Sequence, residues 1–407
     1  MAKQVVCRSC DLVVNIDNLK NDYNCVCPRC GRVLLSPSLL KATDISIVAF
    51  SALLFLAISI IEPFMSISAM GTGASMSLYS IVSILQRDWG LLLYSFLFFT
   101  FFAPVYVLVS IVLSGGFNLR FNILFAKLYT FNHSLCMVDV FVLGIVVSLI
   151  KLTSLADVDF YIGFYTTFIF SVLLLWCSIN YKPQKIWNKL KEQEDLYLVS
   201  GITAKEQGYK TCRECGYVFK ANTDEDLCPR CKSKVSYRAK SCISKSCALL
   251  IAALILYLPS NLYPVMYTRF IGSETGSNII EGVIAMWNMG SYFVAFIILL
   301  ASIFIPAFKI VSLAFILYAT KYSKILVKRR VSKLYRFVLF IGRWSLIDVY
   351  VVIIMASIVR IGNLLSISPG FAIICFCSVV LITVFSAEAF DERLIWDLEA
   401  QNDGSNK

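Results

Sequence analysis

Charged residues are scarce in this sequence, and their scarcity excludes an ordinary soluble protein. Only 15% of the 407 residues are Asp, Glu, Lys or Arg, whereas 58% are hydrophobic, and the mean hydropathy is +0.75. A soluble chain of this length would need more polar surface to face water. The composition therefore indicates a membrane protein.

Other absences narrow the possible functions. No Gly-x4-Gly-Lys-Ser/Thr motif occurs, so we expect no ATP hydrolysis by a phosphate-binding loop of that kind. No cleavable signal peptide is visible, because the first 40 residues are polar and rich in cysteine. His133 is the only histidine, and we interpret it as an interfacial residue at the start of a membrane span.

The apolar residues are concentrated in runs that are long enough to cross a hydrocarbon core of about 30 Å as helices. These runs predict eight spans: Ile45–Ile61, Gly90–Leu113, Leu135–Leu155, Phe160–Ile179, Ile243–Leu262, Ser291–Ala319, Trp344–Leu365 and Gly370–Ala387.

Of the 37 Lys and Arg residues, 31 lie before span 1, in every second loop or after span 8. Because cytoplasmic loops carry the excess of basic residues, both termini are predicted to be cytoplasmic. The net charge of +11 reflects this topology and is not by itself a sign of nucleic-acid binding.

The two halves of the chain are similar to each other. The segment SLCMVDVFVLGIVVSLIK at 134–151 matches SLIDVYVVIIMASIVR at 345–360, which aligns Asp139 with Asp348 at an offset of 209. Pro104 aligns with Pro306 at an offset of 202, and both prolines are predicted to kink their spans. Each half holds an even number of predicted spans, so both have the same orientation. The chain is therefore predicted to be a parallel tandem repeat.

Each half begins with two Cys-x-x-Cys motifs. Eight cysteines form the two sets: Cys7, Cys10, Cys27 and Cys30, then Cys212, Cys215, Cys228 and Cys231. Four thiolates at this spacing suit tetrahedral Zn²⁺, and metal binding would drive the folding of modules too small for a hydrophobic core. We predict two zinc sites, structural rather than catalytic, because a site with four protein ligands has no open position.

Two alternatives to this metal assignment stay open. A Cys-x-x-Cys pair can be a redox couple, although paired motifs on the reducing side of a membrane favour a metal. Cys25 is a spare thiol that could replace Cys27 as a ligand. The remaining cysteines lie in or near the spans and are interpreted as small packing residues.

Polar residues inside the spans predict a transport site in the second half. Lys309 lies ten residues before Ala319, about 15 Å along a helix, which is too far for its ammonium to reach water. Asp348 lies about one turn inside span 7 and is its expected partner. Three hydroxyl residues complete the predicted site: Ser302, Ser345 and Thr383. The alternative is that these hydroxyls only bond their own backbone.

The first half has a poorer polar set. Asp139 is retained there and is included in the predicted transport site, but Val107 occupies the position that matches Lys309. We therefore place the main site in the second bundle.

The tandem layout resembles the paraquat-inducible protein A family. Two cytoplasmic ribbons each lead four spans, with an Asp near the start of the third span, and the motifs YPVM at 263–266 and SLIDVY at 345–350 add to the likeness. The resemblance implies a Gram-negative inner-membrane protein. It also implies a periplasmic mammalian-cell-entry (MCE) domain partner that forms a tunnel, with lipid moving between the membrane and that tunnel.

The sequence thus predicts an all-α polytopic membrane protein of two tandem repeats, each a small zinc ribbon followed by a four-helix transmembrane bundle. The expected domains are ribbon 1 (1–43), bundle 1 (44–180), a linker with ribbon 2 (181–242), bundle 2 (243–390) and a cytoplasmic tail (391–407). The expected function is that of a lipid-transporter subunit without enzymatic activity, whose partners are membrane lipids and the MCE protein, not nucleic acid. The alternatives are a membrane thiol or zinc redox enzyme, and a zinc-dependent scaffold or sensor with an inert bundle.

Overall fold

The structure is a computed structural model of the whole chain. It describes the following residues: 3–16, 24–35, 41–69, 72–77, 79, 82–83, 86, 90–116, 121–136, 138, 140, 142–146, 157–194, 196–223, 225–270, 273–288, 290, 292–322, 328–344, 349–351, 360–361 and 365–397.

Helices make up most of the described chain. They are α1 (Ala42–Ile61), α2 (Gly90–Leu97), α3 (Ala103–Gly116), α4 (Ile123–Leu135), α5 (Ile162–Asn180), α6 (Pro183–Leu190), α7 (Cys242–Leu262), α8 (Ile279–Asn288), α9 (Tyr292–Leu299), α10 (Ile305–Tyr322), α11 (Lys328–Trp344), α12 (Phe371–Ala389) and α13 (Leu394–Asp397). Two π-helical turns, Phe98–Phe102 and Leu300–Phe304, join α2 to α3 and α9 to α10.

Six helical segments of the described residues are long and apolar enough to cross a membrane: Ala42–Ile61, Leu93–Gly116, Ile162–Asn180, Cys242–Leu262, Ala295–Lys321 and Phe371–Ala389. They match six of the eight predicted spans. The other two predictions, Leu135–Leu155 and Trp344–Leu365, fall largely outside the described residues. The protein is thus mostly helical and multi-pass by the length and composition of its helices.

Short strands build the two ribbons. They are β1 (Lys3–Val6), β2 (Val13–Ile16), β3 (Cys25–Val26), β4 (Val33–Leu35), β8 (Tyr209–Thr211), β9 (Val218–Lys220), β10 (Asp226–Leu227) and β11 (Lys234–Val235). They pair as four antiparallel hairpins, β1 with β2, β3 with β4, β8 with β9 and β10 with β11. Each hairpin carries one Cys-x-x-Cys motif at its turn. We call the side of the bundles that bears the ribbons the ribbon end.

Strands also form a small sheet at the opposite end of each bundle, which the prediction of all-α bundles missed. The strands are β5 (Met65–Ala69), β6 (Thr72–Met76) and β7 (Asp157–Phe160) in the first half, and β12 (Met266–Phe270), β13 (Ser273–Ser277), β14 (Arg360–Ile361) and β15 (Leu365–Pro369) in the second. Their orders are β6-β5-β7 and β13-β12-β15-β14. The corresponding pairs Met65↔Phe160 and Met266↔Pro369 show that the repeat extends to these sheets. We call this side the sheet end.

A tight turn links the first span of each half to its sheet. In the second half α7 ends before Pro264, and Gly370 donates from its backbone N–H to the Val265 carbonyl at 2.7 Å. In the first half α1 ends before Pro63, and Gly163 donates to the Pro63 carbonyl at 3.2 Å. The motif YPVM therefore lies where α7 passes into β12, so its proline ends the helix.

The two predicted proline kinks are accommodated by the π-helical turns. Each turn ends two residues before a proline, Pro104 in the first half and Pro306 in the second. Proline has no N–H and its ring clashes with the carbonyl four residues earlier, and a widened turn relieves that clash. The offset of 202 between the two π-helical turns equals the offset between the prolines, so the feature belongs to the repeat.

Each ribbon packs against the bundle of the other half. The first ribbon shares a buried apolar cluster with α10, α11 and α12 of the second bundle, and Arg336 of α11 donates to the Cys30 carbonyl at 2.7 Å. The second ribbon shares a cluster with α1, α5 and α6 of the first half. There Gln193, just after α6, exchanges two hydrogen bonds with the Val218 backbone at 2.9 and 3.0 Å. The halves are therefore interlocked at the ribbon end.

The segment after the last membrane helix is buried between the ribbons. Arg238, which follows the second ribbon, donates a hydrogen bond to each carboxylate oxygen of Asp397, at 2.5 and 2.7 Å. It also donates to the carboxylate of Asp11 in the first ribbon at 3.1 Å. Glu392 is 8% exposed and accepts a hydrogen bond from Ser332 of α11 at 2.5 Å. Residues 390–397 thus connect both ribbons to the second bundle.

Candidate metal centres and a buried lysine

All four Cys-x-x-Cys motifs adopt the same backbone turn. In each, the N–H of the first cysteine donates to the carbonyl five residues later, as from Cys7 to Leu12 at 2.9 Å. The residue after the second cysteine is left-handed in every case, with φ of 62° at Asp11, 71° at Gly31, 69° at Gly216 and 58° at Lys232. Only two of these are glycine, so the turn does not depend on glycine alone.

The turns bring the sulfurs of each set together. Cys7 and Cys30 Sγ are 3.5 Å apart, as are Cys10 and Cys27 Sγ. In the second set, Cys212 and Cys231 Sγ are 3.5 Å apart, and Cys215 and Cys228 Sγ are 3.6 Å apart. Tetrahedral zinc with bonds of about 2.3 Å would hold sulfurs about 3.8 Å apart. All eight thiols are buried, and each set could hold one metal ion. Cys25 lies outside the first set.

The thiols of each set shift each other's pKa in both directions. The hydrogen bond with Cys10 lowers the pKa of Cys30 to about 7, and the hydrogen bond with Cys212 lowers the pKa of Cys228 to about 6. A metal binds thiolates and displaces their protons. The same contacts lower the pKa of Cys27 and Cys231 and raise the pKa of the other two cysteines of each set, so two thiols in each set ionise more readily than their partners.

A buried arginine beside the second set supports an anionic, metal-loaded cluster. Arg230 lies between Cys228 and Cys231 and is 5% exposed, with its guanidinium 4.7 Å from the centre of the Tyr217 ring. Within the described residues its Nε and Nη2 have no hydrogen-bond partner. Burial lowers the pKa of Arg230, whereas the charges of Cys215 and Cys228 raise it. Four neutral thiols could not balance this cation, but four thiolates on a divalent metal could.

A lysine is buried in the core of the second bundle. Lys309 lies on α10, one turn after the π-helical turn, and is 1% exposed. An atom added at the Cβ position of Gly342 on α11 would lie 3.9 Å from Lys309 Nζ and 3.7 Å from Val384 of α12. Lys309 therefore lies where α10, α11 and α12 meet. Within the described residues its Nζ has no hydrogen-bond partner.

The other predicted transport residues are only partly described. Ser302 is buried in the π-helical turn before α10. Thr383 is buried on α12 and donates to the Val380 carbonyl at 2.8 Å, so its hydroxyl bonds its own helix. Three further predicted residues, Asp139, Ser345 and Asp348, lie outside the described residues. His133 lies at the ribbon end of α4, with Nε2 3.1 Å from the Ser178 carbonyl.

The sequence carried one signal that the prediction did not use. Every Cys-x-x-Cys motif has an arginine between its cysteines, in CRSC, CPRC, CREC and CPRC. These arginines are Arg8, Arg29, Arg213 and Arg230. Each motif thus carries a positively charged residue within two positions of its thiols, and a nearby cation favours ionised thiols.

Comparison with known proteins identifies the family. A family model described as "Paraquat-inducible protein A" matches residues 43–191 and 243–399, once in each half. The chain belongs to the paraquat-inducible protein A family. The two separate matches agree with the tandem repeat and with the resemblance inferred from the sequence.

Similar proteins span nearly the whole chain. The "Intermembrane transport protein PqiA" of Escherichia coli K12 is 32% identical over 408 residues, 99% of this chain and 97% of that protein. The "Probable intermembrane transport protein" of Haemophilus influenzae is 26% identical, covering 97% and 96%. The "Lipophilic envelope-spanning tunnel protein A" of E. coli K12 is 23% identical, covering 96% and 90%. No solved structure matches the chain.

Proposed function

We propose that this chain is the inner-membrane subunit of a lipid transporter. Its relatives are named as intermembrane transport or envelope-spanning tunnel proteins, which supports transport rather than catalysis. The cargo would pass between the bacterial inner membrane and a periplasmic MCE-domain tunnel protein. The two metal sites would hold zinc and stabilise the ribbons, leaving the membrane bundles to handle the lipid.

The proposed topology has eight crossings with the ribbon end in the cytoplasm. Helix α4 packs on α6 at the ribbon end, through a hydrogen bond from Trp187 to Thr130 at 3.0 Å. Strand β7 pairs with β5 at the sheet end, which supports the predicted span Leu135–Leu155 between the two ends. Helix α11 contacts the first ribbon and β15 lies at the sheet end. These positions support the predicted span Trp344–Leu365 between them. Cysteines placed singly at Ser75 or Ser273 should then react with periplasmic reagents, and one at Lys205 should not.

Lys309 is the single observation that carries a lipid-handling role. An ammonium in the middle of an apolar bundle is costly, and such groups mark substrate pathways in membrane proteins. A lipid headgroup cannot enter hydrocarbon without partners that replace its lost water. The Lys309 ammonium suits a headgroup phosphate. Asp348, Ser345, Ser302 and Thr383 are proposed to complete this site, and Asp139 to serve the first bundle.

Replacement of Lys309 tests the proposal. Lys309→Met keeps the length and apolar stem but removes the charge, so it should abolish transport of labelled phospholipid between proteoliposomes and the purified tunnel partner. Expression and metal content should stay normal, because Lys309 lies in the bundle and not in a ribbon. Val107→Ala, at the matching position of the first half, should retain transport. Full transport by Lys309→Met would show that the site lies elsewhere.

A further inference from the structure

Each metal set is contacted by an arginine from outside its own ribbon. Arg336 on α11 donates from Nη2 to the Cys30 carbonyl of the first ribbon at 2.7 Å. Arg8 of the first ribbon donates from Nη2 to the Cys215 carbonyl of the second ribbon at 3.0 Å. In both cases the acceptor is the cysteine that precedes the glycine of the turn. The first ribbon is thus held by the bundle, and the second ribbon is held by the first.

The Arg8 guanidinium lies directly against the backbone of the second metal set. A Cβ added at Gly216 would lie 1.8 Å from Arg8 Nη2 and 2.3 Å from its Cζ, so no other residue leaves room for the guanidinium in this position. Gly216 also needs its positive φ of 69° for the turn. At Gly31, the matching position of the first ribbon, the nearest side-chain atom would be 3.5 Å away. The close approach is specific to the second set.

The charged groups around the Arg8 guanidinium are thiols of the second set and two arginines, Arg32 and Arg230. Among the described residues, no carboxylate lies within 4 Å of its guanidinium. Burial and the neighbouring Arg32 lower the pKa of Arg8, and the charges of Cys215 and Cys212 oppose them. A cation near ionised thiols and without a carboxylate partner gains its electrostatic stabilisation from those thiols.

We propose that Arg8 is the counter-cation of the second metal site and that it couples the two ribbons. Four thiolates on a divalent metal carry two negative charges, and Arg8 with Arg230 supplies two positive ones. Arg8 belongs to the first ribbon, whereas Arg230 belongs to the second ribbon itself. Metal in the second site therefore strengthens the docking of the first ribbon. By reciprocity, docking of the first ribbon retains metal in the second site.

Thiol alkylation in the presence of a chelator tests the coupling site by site. The full-length protein in detergent is exposed to EDTA and N-ethylmaleimide, and the labelled peptides of each cysteine set are quantified by mass spectrometry over time. Arg8→Ala should accelerate labelling of Cys212, Cys215, Cys228 and Cys231. The acceleration should be on the order of tenfold, as for the loss of a hydrogen bond to a charged group. Labelling of the first set should change little, although Arg8 lies within it.

Matched variants separate this proposal from simple unfolding of a ribbon. Arg336→Ala should accelerate labelling of the first set instead, because its acceptor is Cys30. Arg8→Lys keeps the charge but not the planar fork, so it should accelerate the second set by less than Arg8→Ala, and it serves as the test variant if Arg8→Ala does not fold. Acceleration of the first set alone, equal acceleration of both sets, or no change in the second set would each overturn the proposal.

Discussion

Arg213, between two cysteines of the second metal set, donates a hydrogen bond to the carbonyl of Phe390 at 2.7 Å, one residue past the last membrane helix. It also contacts the carbonyls of Glu388 and Ala389. The last carbonyls of a helix have no partner within the helix and carry partial negative charge. A Cys-x-x-Cys turn of the second ribbon therefore caps the helix that carries Thr383.

Removing this cap should destabilise the ribbon end of α12. Arg213→Ala leaves the three carbonyls without their cation, and because the side chain is exposed we expect a cost of about 1 kcal/mol. The measurement is the thermal transition in detergent, followed by tryptophan fluorescence, since Trp396 lies close to this helix end. Glu214→Ala changes the next residue of the same turn and should leave the transition unmoved. An equal loss in both variants would mean that the ribbon, not the cap, was disturbed.

Metal analysis should find two zinc ions per chain. The sulfur separations in both sets suit one metal each. Cys27→Ser should reduce the content to about one ion, because three thiolates bind zinc far less tightly than four. Cys25→Ser should leave it at two, since Cys25 lies outside the set. Elemental analysis of the purified protein checks all three values, and loss of zinc in Cys25→Ser would show that Cys25 is a ligand.

Local sequence patterns predicted the metal sets and the six described spans well. A Cys-x-x-Cys turn is determined by a few neighbouring residues, and the length and hydropathy of an apolar run are enough to predict a membrane span. Both features can therefore be recognised without the rest of the chain. The sheets at the sheet end were missed because segments such as MSISA at 65–69 are short and carry weak strand patterns. Only their pairing with β7 or β15, far along the chain, makes them strands.

The interlocking of the halves could not be predicted in the same way. Arg336 and Cys30 are 306 residues apart in sequence, and nothing local to either indicates the contact. The order of the repeat, a ribbon followed by four predicted spans, does not indicate which bundle each ribbon contacts. The packing of each ribbon on the other half depends on the shape and charge of two folded surfaces. For the transport site, burial of Lys309 followed from its place in an apolar run, whereas its partners remain a prediction.

The ion pair between Asp391 and Arg393 should give the ribbon end a dependence on acidic pH. Burial opposes ionisation of Asp391, but the hydrogen bonds and charge of Arg393, at 2.9 and 3.0 Å, outweigh it and hold the pKa of Asp391 below its ordinary value. Because the folded state has the lower pKa, this stabilisation is present above about pH 4 and is lost as the pH falls further.

Thermal transitions of the wild type and Asp391→Asn, measured from pH 7 down to pH 3, check this dependence. Removing one partner of a buried ion pair costs about 3–5 kcal/mol, so the variant should melt at a lower temperature at neutral pH. The difference in melting temperature should stay constant to about pH 5 and narrow below about pH 4, because the unfolded wild type then binds a proton that folded Asp391 accepts only at lower pH. A gap that stays unchanged at pH 3 would mean that the charge of Asp391 does not contribute.

Two glycines at the sheet end should not tolerate even a methyl group. A Cβ at Gly370 would lie 2.1 Å from the Pro264 carbonyl oxygen, and a Cβ at Gly163 would lie 2.5 Å from that of Pro63. Both clashing atoms belong to the backbone. The clash can therefore be relieved only if the start of the helix moves away from the proline turn. Gly370→Ala and Gly163→Ala should each cost about 1–3 kcal/mol, as for other overpacked sites. Gly282→Ala is the matched control, because α8 offers open space there and alanine favours a helix over glycine. The midpoint temperature of unfolding in detergent should therefore fall for Gly370→Ala and Gly163→Ala, and stay the same or rise slightly for Gly282→Ala. An unchanged transition in Gly370→Ala would show that α12 does not pack this closely on the turn after α7.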